Sequence, residues 1–132
     1  MSGSRRRELR CLDDRRADVL ASLCETLVPG CARVGAEVYI DAVLAQAPPP
    51  VQQAAVAAID TLAPHAGGGE EALAPLAPTP EFQMIRAMAA EAYYSDFVAP
   101  GAEGPGAWQE IGFVFPLATK VVKDWSYLGV PA

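Results

Sequence analysis

The sequence predicts an all-α domain, a small bundle of about four helices with an irregular, aromatic-rich carboxy-terminal arm. Three observations carry this. Apolar residues recur at helical spacing in four segments, most regularly at Val51, Ala54, Ala55, Ala58, Ile59 and Leu62. Pro and Gly clusters separate those segments, and no pair of them alternates as paired strands do. Nine of the ten aromatic residues stand at or after Phe82, so the first eighty residues, with Tyr39 alone, must build their core from Leu, Val, Ile and Ala.

The first helix is capped by Asp13 or Asp14, carries Leu20, Leu23, Cys24 and Leu27 on one face, and ends at Pro29-Gly30. A second runs from about Gly35 to Ala47, with Val38, Tyr39, Ala42 and Val43 as its apolar stripe, and Pro48-Pro49-Pro50 stops it. Pro50 can open the third, because proline lacks only an amide that the first helical turn leaves unpaired anyway. Residues 64–69 read as a loop, and Glu70 to Leu76 as at most a short turn broken by Pro75. Thr79-Pro80-Glu81 then gives a threonine cap, a proline at the first position and an acid where the helix dipole favours it. Phe82, Ile85, Ala89, Ala92 and Tyr93 form the buried face of that fourth helix. From Phe97 to Ala107 the Pro and Gly content predicts a loop, and beyond Trp108 no period is sustained. Phe113-Val114-Phe115-Pro116 reads as a short extended piece.

A chain of 132 residues is one domain by size. Its net charge of −6 is unevenly spread: residues 1–16 hold six arginines against three acids, and the remainder four basic residues against thirteen acids. The expected division is a disordered basic tail over residues 1–12 and a single helical domain over 13–132. Arg5-Arg6-Arg7 is a weak signal for nucleic acid or anionic lipid, and the acidic body would repel a phosphate backbone, so no nucleic-acid partner is expected. No run approaches the ~20 apolar residues of a membrane span. The paired arginines resemble the start of a twin-arginine signal, but the charged stretch Asp13-Asp14-Arg15-Arg16 follows where an apolar run is needed, so a cytoplasmic protein is expected.

Chemistry of the usual kinds lacks its parts. Cys11, Cys24 and Cys31 are odd in number and fit neither a disulfide framework nor paired zinc knuckles; they read as reduced thiols. His65 is the only histidine, which leaves a metal site or a nucleophile-plus-base pair without a partner. Gly101 to Gly106 is neither a dinucleotide fingerprint nor a P-loop. Asp13-Asp14 and Glu70-Glu71 read as capping or surface charges rather than an acid/base pair. Neither a catalytic nor a metal-ligating residue is assigned, and no cofactor is expected on this chain.

Two blocks remain. The first is Leu20-Ala21-Ser22-Leu23-Cys24-Glu25-Thr26-Leu27-Val28-Pro29-Gly30 with Gly35-Ala36 and Tyr39-Ile40-Asp41; the second is Tyr93-Tyr94-Ser95-Asp96 with Trp108-Gln109-Glu110-Ile111-Gly112-Phe113. In their order and separation they resemble the gluconate 2-dehydrogenase subunit 3 family, small subunits that accompany flavin-dependent oxidoreductases of the glucose-methanol-choline class. The resemblance spans residues ~17 to ~115. It implies a non-catalytic partner of a large subunit that holds FAD and oxidises an alcohol or sugar carbon, glycosides included. Exported members carry the apolar part of the twin-arginine signal, and this chain departs from them there, which implies an intracellular flavoenzyme. The proline-rich stretch between Asp96 and Trp108 is a second departure.

The expected partner interface comprises Tyr93, Tyr94, Ser95, Asp96, Trp108, Ile111, Gly112, Phe113, Phe115, Trp125 and Tyr127, since aromatics concentrate at the buried centres of interfaces. Two alternatives stay open. The arm aromatics fold back and complete the chain's own core, or the chain is a stand-alone helical enzyme or ligand-binding module with a pocket near Tyr93, Tyr94 and Trp108.

Overall fold

The computed structural model describes residues 8–112 and 125–130, and these form an all-helical bundle with no strand among them. Four long helices make it: α1 (Asp14–Leu27), α3 (Ala36–Ala45), α4 (Pro49–Leu62) and α6 (Pro80–Tyr94). Three short ones, α2 (Cys31–Val34), α5 (Gly69–Leu73) and α7 (Ala107–Glu110), and three 3₁₀ turns at Ala63–His65, Ala74–Leu76 and Ser126–Leu128 connect or finish them.

Asp13 caps α1, its carboxylate accepting the amide of Arg16 at 2.7 Å. Ala17, Leu20, Leu23 and Cys24 are buried on the expected face, while Leu27 at its end is only half-buried. α2 fills the interval that the sequence leaves unassigned between the first two expected helices. Its first turn is secured by Glu25, whose carboxylate accepts the amides of Gly30 and Ala32 at 3.2 and 2.9 Å.

α3 is shorter than expected at both ends and packs against α1, α4 and α6. A helix enclosed on so many sides has no single stripe, which is why Ile40, Asp41 and Leu44 are buried beside Tyr39 and Ala42 while Val38 and Val43 are half-buried. α4 begins at Pro49 rather than Pro50. Its buried residues are Ala55, Ala58, Ile59 and Leu62; Val51 and Ala54, at the start of the predicted stripe, project from the edge of the bundle and are exposed. Their helical spacing is right, but that side of α4 is left open to solvent; the first turn meets α3 through Gln52 instead, whose Nε2 donates to the Leu44 carbonyl at 2.7 Å. α6 matches its prediction closely, with Thr79 Oγ1 accepting the amide of Phe82 and all five predicted face residues buried.

The tail expected over residues 1–12 requires correction in its described part, residues 8–12; residues 1–7 lie outside the described residues. The amides of Arg10, Cys11 and Leu12 donate in succession to the Asp41 carboxylate at 2.8, 2.9 and 2.8 Å, and the Leu12 side chain is buried. A buried carboxylate must find donors, and Asp41 finds them in this strap, which therefore belongs to the domain. The expected extended piece at 113–116 lies outside the described residues.

Candidate functional site

The two sequence blocks meet in space. Gly30 adopts φ +108°, which an L side chain rarely tolerates. A Cβ placed on it would stand 2.7 Å from the Tyr93 ring, so the α1–α2 turn and the end of α6 are in contact through the absence of a side chain. Beside it, the Tyr93 hydroxyl donates to the Glu110 carboxylate on α7. Arg33 on α2 approaches the other Glu110 oxygen at 3.1 Å and donates to the carbonyls of Glu103 and Pro105. Arg33 thus gathers the loop after α6 and the start of α7 against the amino-terminal half.

Asp96 turns the chain out of α6. It is buried, adopts a left-handed φ of +67°, and its carboxylate accepts the amide of Trp108 at 3.1 Å in the first turn of α7. The Trp108 indole donates to the Tyr94 carbonyl at 2.8 Å. Ser95 is half-buried and donates to the Ala92 carbonyl at 2.9 Å. Further along, Trp125 packs edge-on against Phe97 and Tyr39, with ring centroids 5.5 and 6.3 Å away, and Phe97 meets Tyr39 at 5.3 Å.

Of the residues predicted to form an interface, Tyr93, Ser95, Asp96, Trp108 and Trp125 therefore make contacts inside the chain. Tyr94, Ile111, Gly112 and Tyr127 are exposed to solvent. Phe113 and Phe115 lie outside the described residues. Tyr94, Ile111 and Tyr127, 51, 57 and 61 % exposed, are three of the four large exposed apolar side chains among the described residues; Val51 is the fourth. Tyr94 and Ile111 follow the Tyr93 and Glu110 that join α6 to α7. Tyr127 stands near the same end of α6, its ring centroid 6.5 Å from that of Trp125, which packs on Phe97 just beyond the helix.

The electrostatics of this region hold protons rather than move them. Burial, followed by the bond to Glu110, pushes the Tyr93 phenol up to about 12. The same bond, with help from Arg33, holds the Glu110 carboxyl below its ordinary value. A phenol made a weaker acid and a carboxylate made a weaker base are poor candidates for general acid–base work near neutrality. Burial likewise pushes Tyr39 up to about 12, with further contributions from Glu91 and Tyr127. The polar atoms of Tyr93 and Trp108 that a ligand would use are engaged within the chain. Among the described residues no group of three or more His, Cys, Asp or Glu side chains is placed to hold a metal ion, and Cys11, Cys24 and Cys31 are free thiols. No described helix is long and apolar enough to cross a membrane.

Sequence reasoning did not single out Arg33, Glu110, Asp41 or Arg10. The available signal was slight: Asp41 stands, with Glu37, among the mostly apolar residues of α3, and Glu110 stands inside an aromatic block. No protein-family model, no curated protein and no solved structure matches the chain.

Proposed function

We propose that this chain is a non-catalytic small subunit that binds and stabilises the FAD-bearing large subunit of a glucose-methanol-choline-type oxidoreductase acting on an alcohol, sugar or glycoside. The observation that carries the reading is the placement of exposed apolar side chains. Tyr94 and Ile111 belong to the block that resembles the small-subunit family, and Tyr127 stands near the same end of α6, linked to it through Trp125 and Phe97. Tyrosines of this kind offer a partner a large contact area with few torsions to freeze.

On this reading the chain supplies no reacting group. The Tyr93–Glu110–Arg33 cluster holds α7 against α6 and so keeps Ile111 in place beside the rigid helix end. FAD and the reacting groups belong to the large subunit.

The test is purification of the tagged full-length chain from its own source, followed by a flavin absorbance spectrum and identification of every co-purifying chain. A glucose-methanol-choline-type flavoprotein in fixed stoichiometry is the expected result. A monodisperse chain that is stable alone and carries no flavoprotein overturns the proposal.

A further inference from the structure

We infer that Arg10 is the positioning residue of the carboxy-terminal arm, clasping residues 125–130 to the helical body from the opposite end of the chain. Three successive arm carbonyls accept bonds from side chains far away in sequence. Gln46 Nε2 donates to the Tyr127 carbonyl at 2.7 Å, and the Arg10 guanidinium donates to the carbonyls of Leu128, at 3.1 Å, and Gly129. The last carbonyls of a 3₁₀ turn have no partner within it, and a cation is the favoured donor there.

Arg10 can serve because it does not hang from a free tail. Its own amide is the first of the three that Asp41 accepts, so α3 fixes the backbone from which the guanidinium reaches out. The arm is shaped to receive it: Gly129 adopts φ +77°, and a Cβ there would overlap the guanidinium. Leu128 and Val130 are buried on either side of that contact. The polar clasp and the two apolar anchors leave Tyr127 facing outward.

The contribution of Arg10 to partner docking rests on the proposed function, whereas its hold on the arm does not. Hydrogen exchange on the full-length chain separates the two. The amides of Leu128 and Gly129, bonded to the Trp125 and Ser126 carbonyls, report on the arm, and the amides of α6 report on the body. Loss of a charge-assisted hydrogen bond corresponds to about tenfold in a local opening equilibrium. Arg10→Ala should therefore speed exchange at Leu128 and Gly129 about tenfold and leave α6 unchanged. Asp41→Asn should do the same at those two amides, because its NH₂ group would face the strap's donors. Unchanged exchange at Leu128 and Gly129 in Arg10→Ala overturns the inference. Equal acceleration in the arm and in α6 also overturns it, since Arg10 would then support the whole fold rather than the arm. Faster arm exchange with unaltered affinity for the co-purified flavoprotein upholds the positioning role and moves the partner surface away from Tyr127.

Discussion

The Tyr93 ring lies where a side chain on Gly30 would stand, 2.7 Å from the Cβ that Gly30 lacks. This one approach joins the turn after α1 to the end of α6, and Glu110 and Arg33 then close α7 over the same point. The residues that make the two sequence blocks conspicuous are thus in part the parts of a joint. Its exposed rim, not its buried centre, is the surface left for the partner we propose.

Gly30→Ala should destabilise the chain by about 2 to 5 kcal/mol, combining left-handed backbone strain with overpacking against the Tyr93 ring. Denaturant unfolding measures this. A loss under about 0.5 kcal/mol would mean that the α1–α2 turn and Tyr93 are not in contact.

Leu23 is fully buried on α1, so Leu23→Ala should cost ~2 to 5 kcal/mol through lost transfer energy and the cavity left behind. Val51→Ala, at an exposed position of the first turn of α4, should fall within ~0.5 kcal/mol. The contrast tests the α4 stripe, whose first turn follows the helical spacing without joining the core.

What was legible in the sequence was what local chemistry decides. Thr79-Pro80-Glu81 caps and starts α6 through bonds within one turn, and Asp13 does the same for α1. What was not legible depends on partners outside the element itself, a few positions back for α2 and far along the chain for the amino-terminal strap. α2 needs the Glu25 carboxylate, and the strap at residues 10–12 needs Asp41, some thirty positions away. The expected interface rested on aromatic density together with the family resemblance, and aromatic density does not distinguish a ring packed on Phe97, as Trp125 is, from one exposed to solvent, as Tyr94 is.

Glu110 gives the joint a pH dependence of definite sign. Its carboxyl is held low in the folded chain by the Tyr93 hydrogen bond and by Arg33. The stability it contributes is therefore complete above the unfolded value of about 4.3 and is lost as pH falls through the lower folded value. Tyr93, pushed up to about 12, acts oppositely: its contribution is complete below the unfolded value of about 10 and is lost as pH rises through about 12. Glu110→Gln should be less stable than the parent at neutral pH and decline less steeply on acidification. Parallel acid limbs for the two proteins in thermal unfolding would show that Glu110 is not engaged.

Trp125 and Tyr94 should separate folding from binding. Trp125 is half-buried against Phe97 and Tyr39, so Trp125→Ala should lower the stability of the isolated chain by ~1 to 3 kcal/mol. Tyr94 is half exposed, with its ring against Tyr93, and its carbonyl bond to Trp108 belongs to the backbone. Tyr94→Ala therefore keeps that bond and should change stability by no more than ~0.5 kcal/mol. If Tyr94 sits at the centre of the subunit contact, truncating it costs about 2 kcal/mol of binding, or roughly thirtyfold in affinity. Ile111→Ala should act in the same direction. Both variants are to be measured for unfolding alone and for retention of the flavoprotein on the tagged chain. Full retention by the double variant, with its fold intact, would exclude this end of α6 as the docking surface and direct the search to the acidic outer faces of the helices.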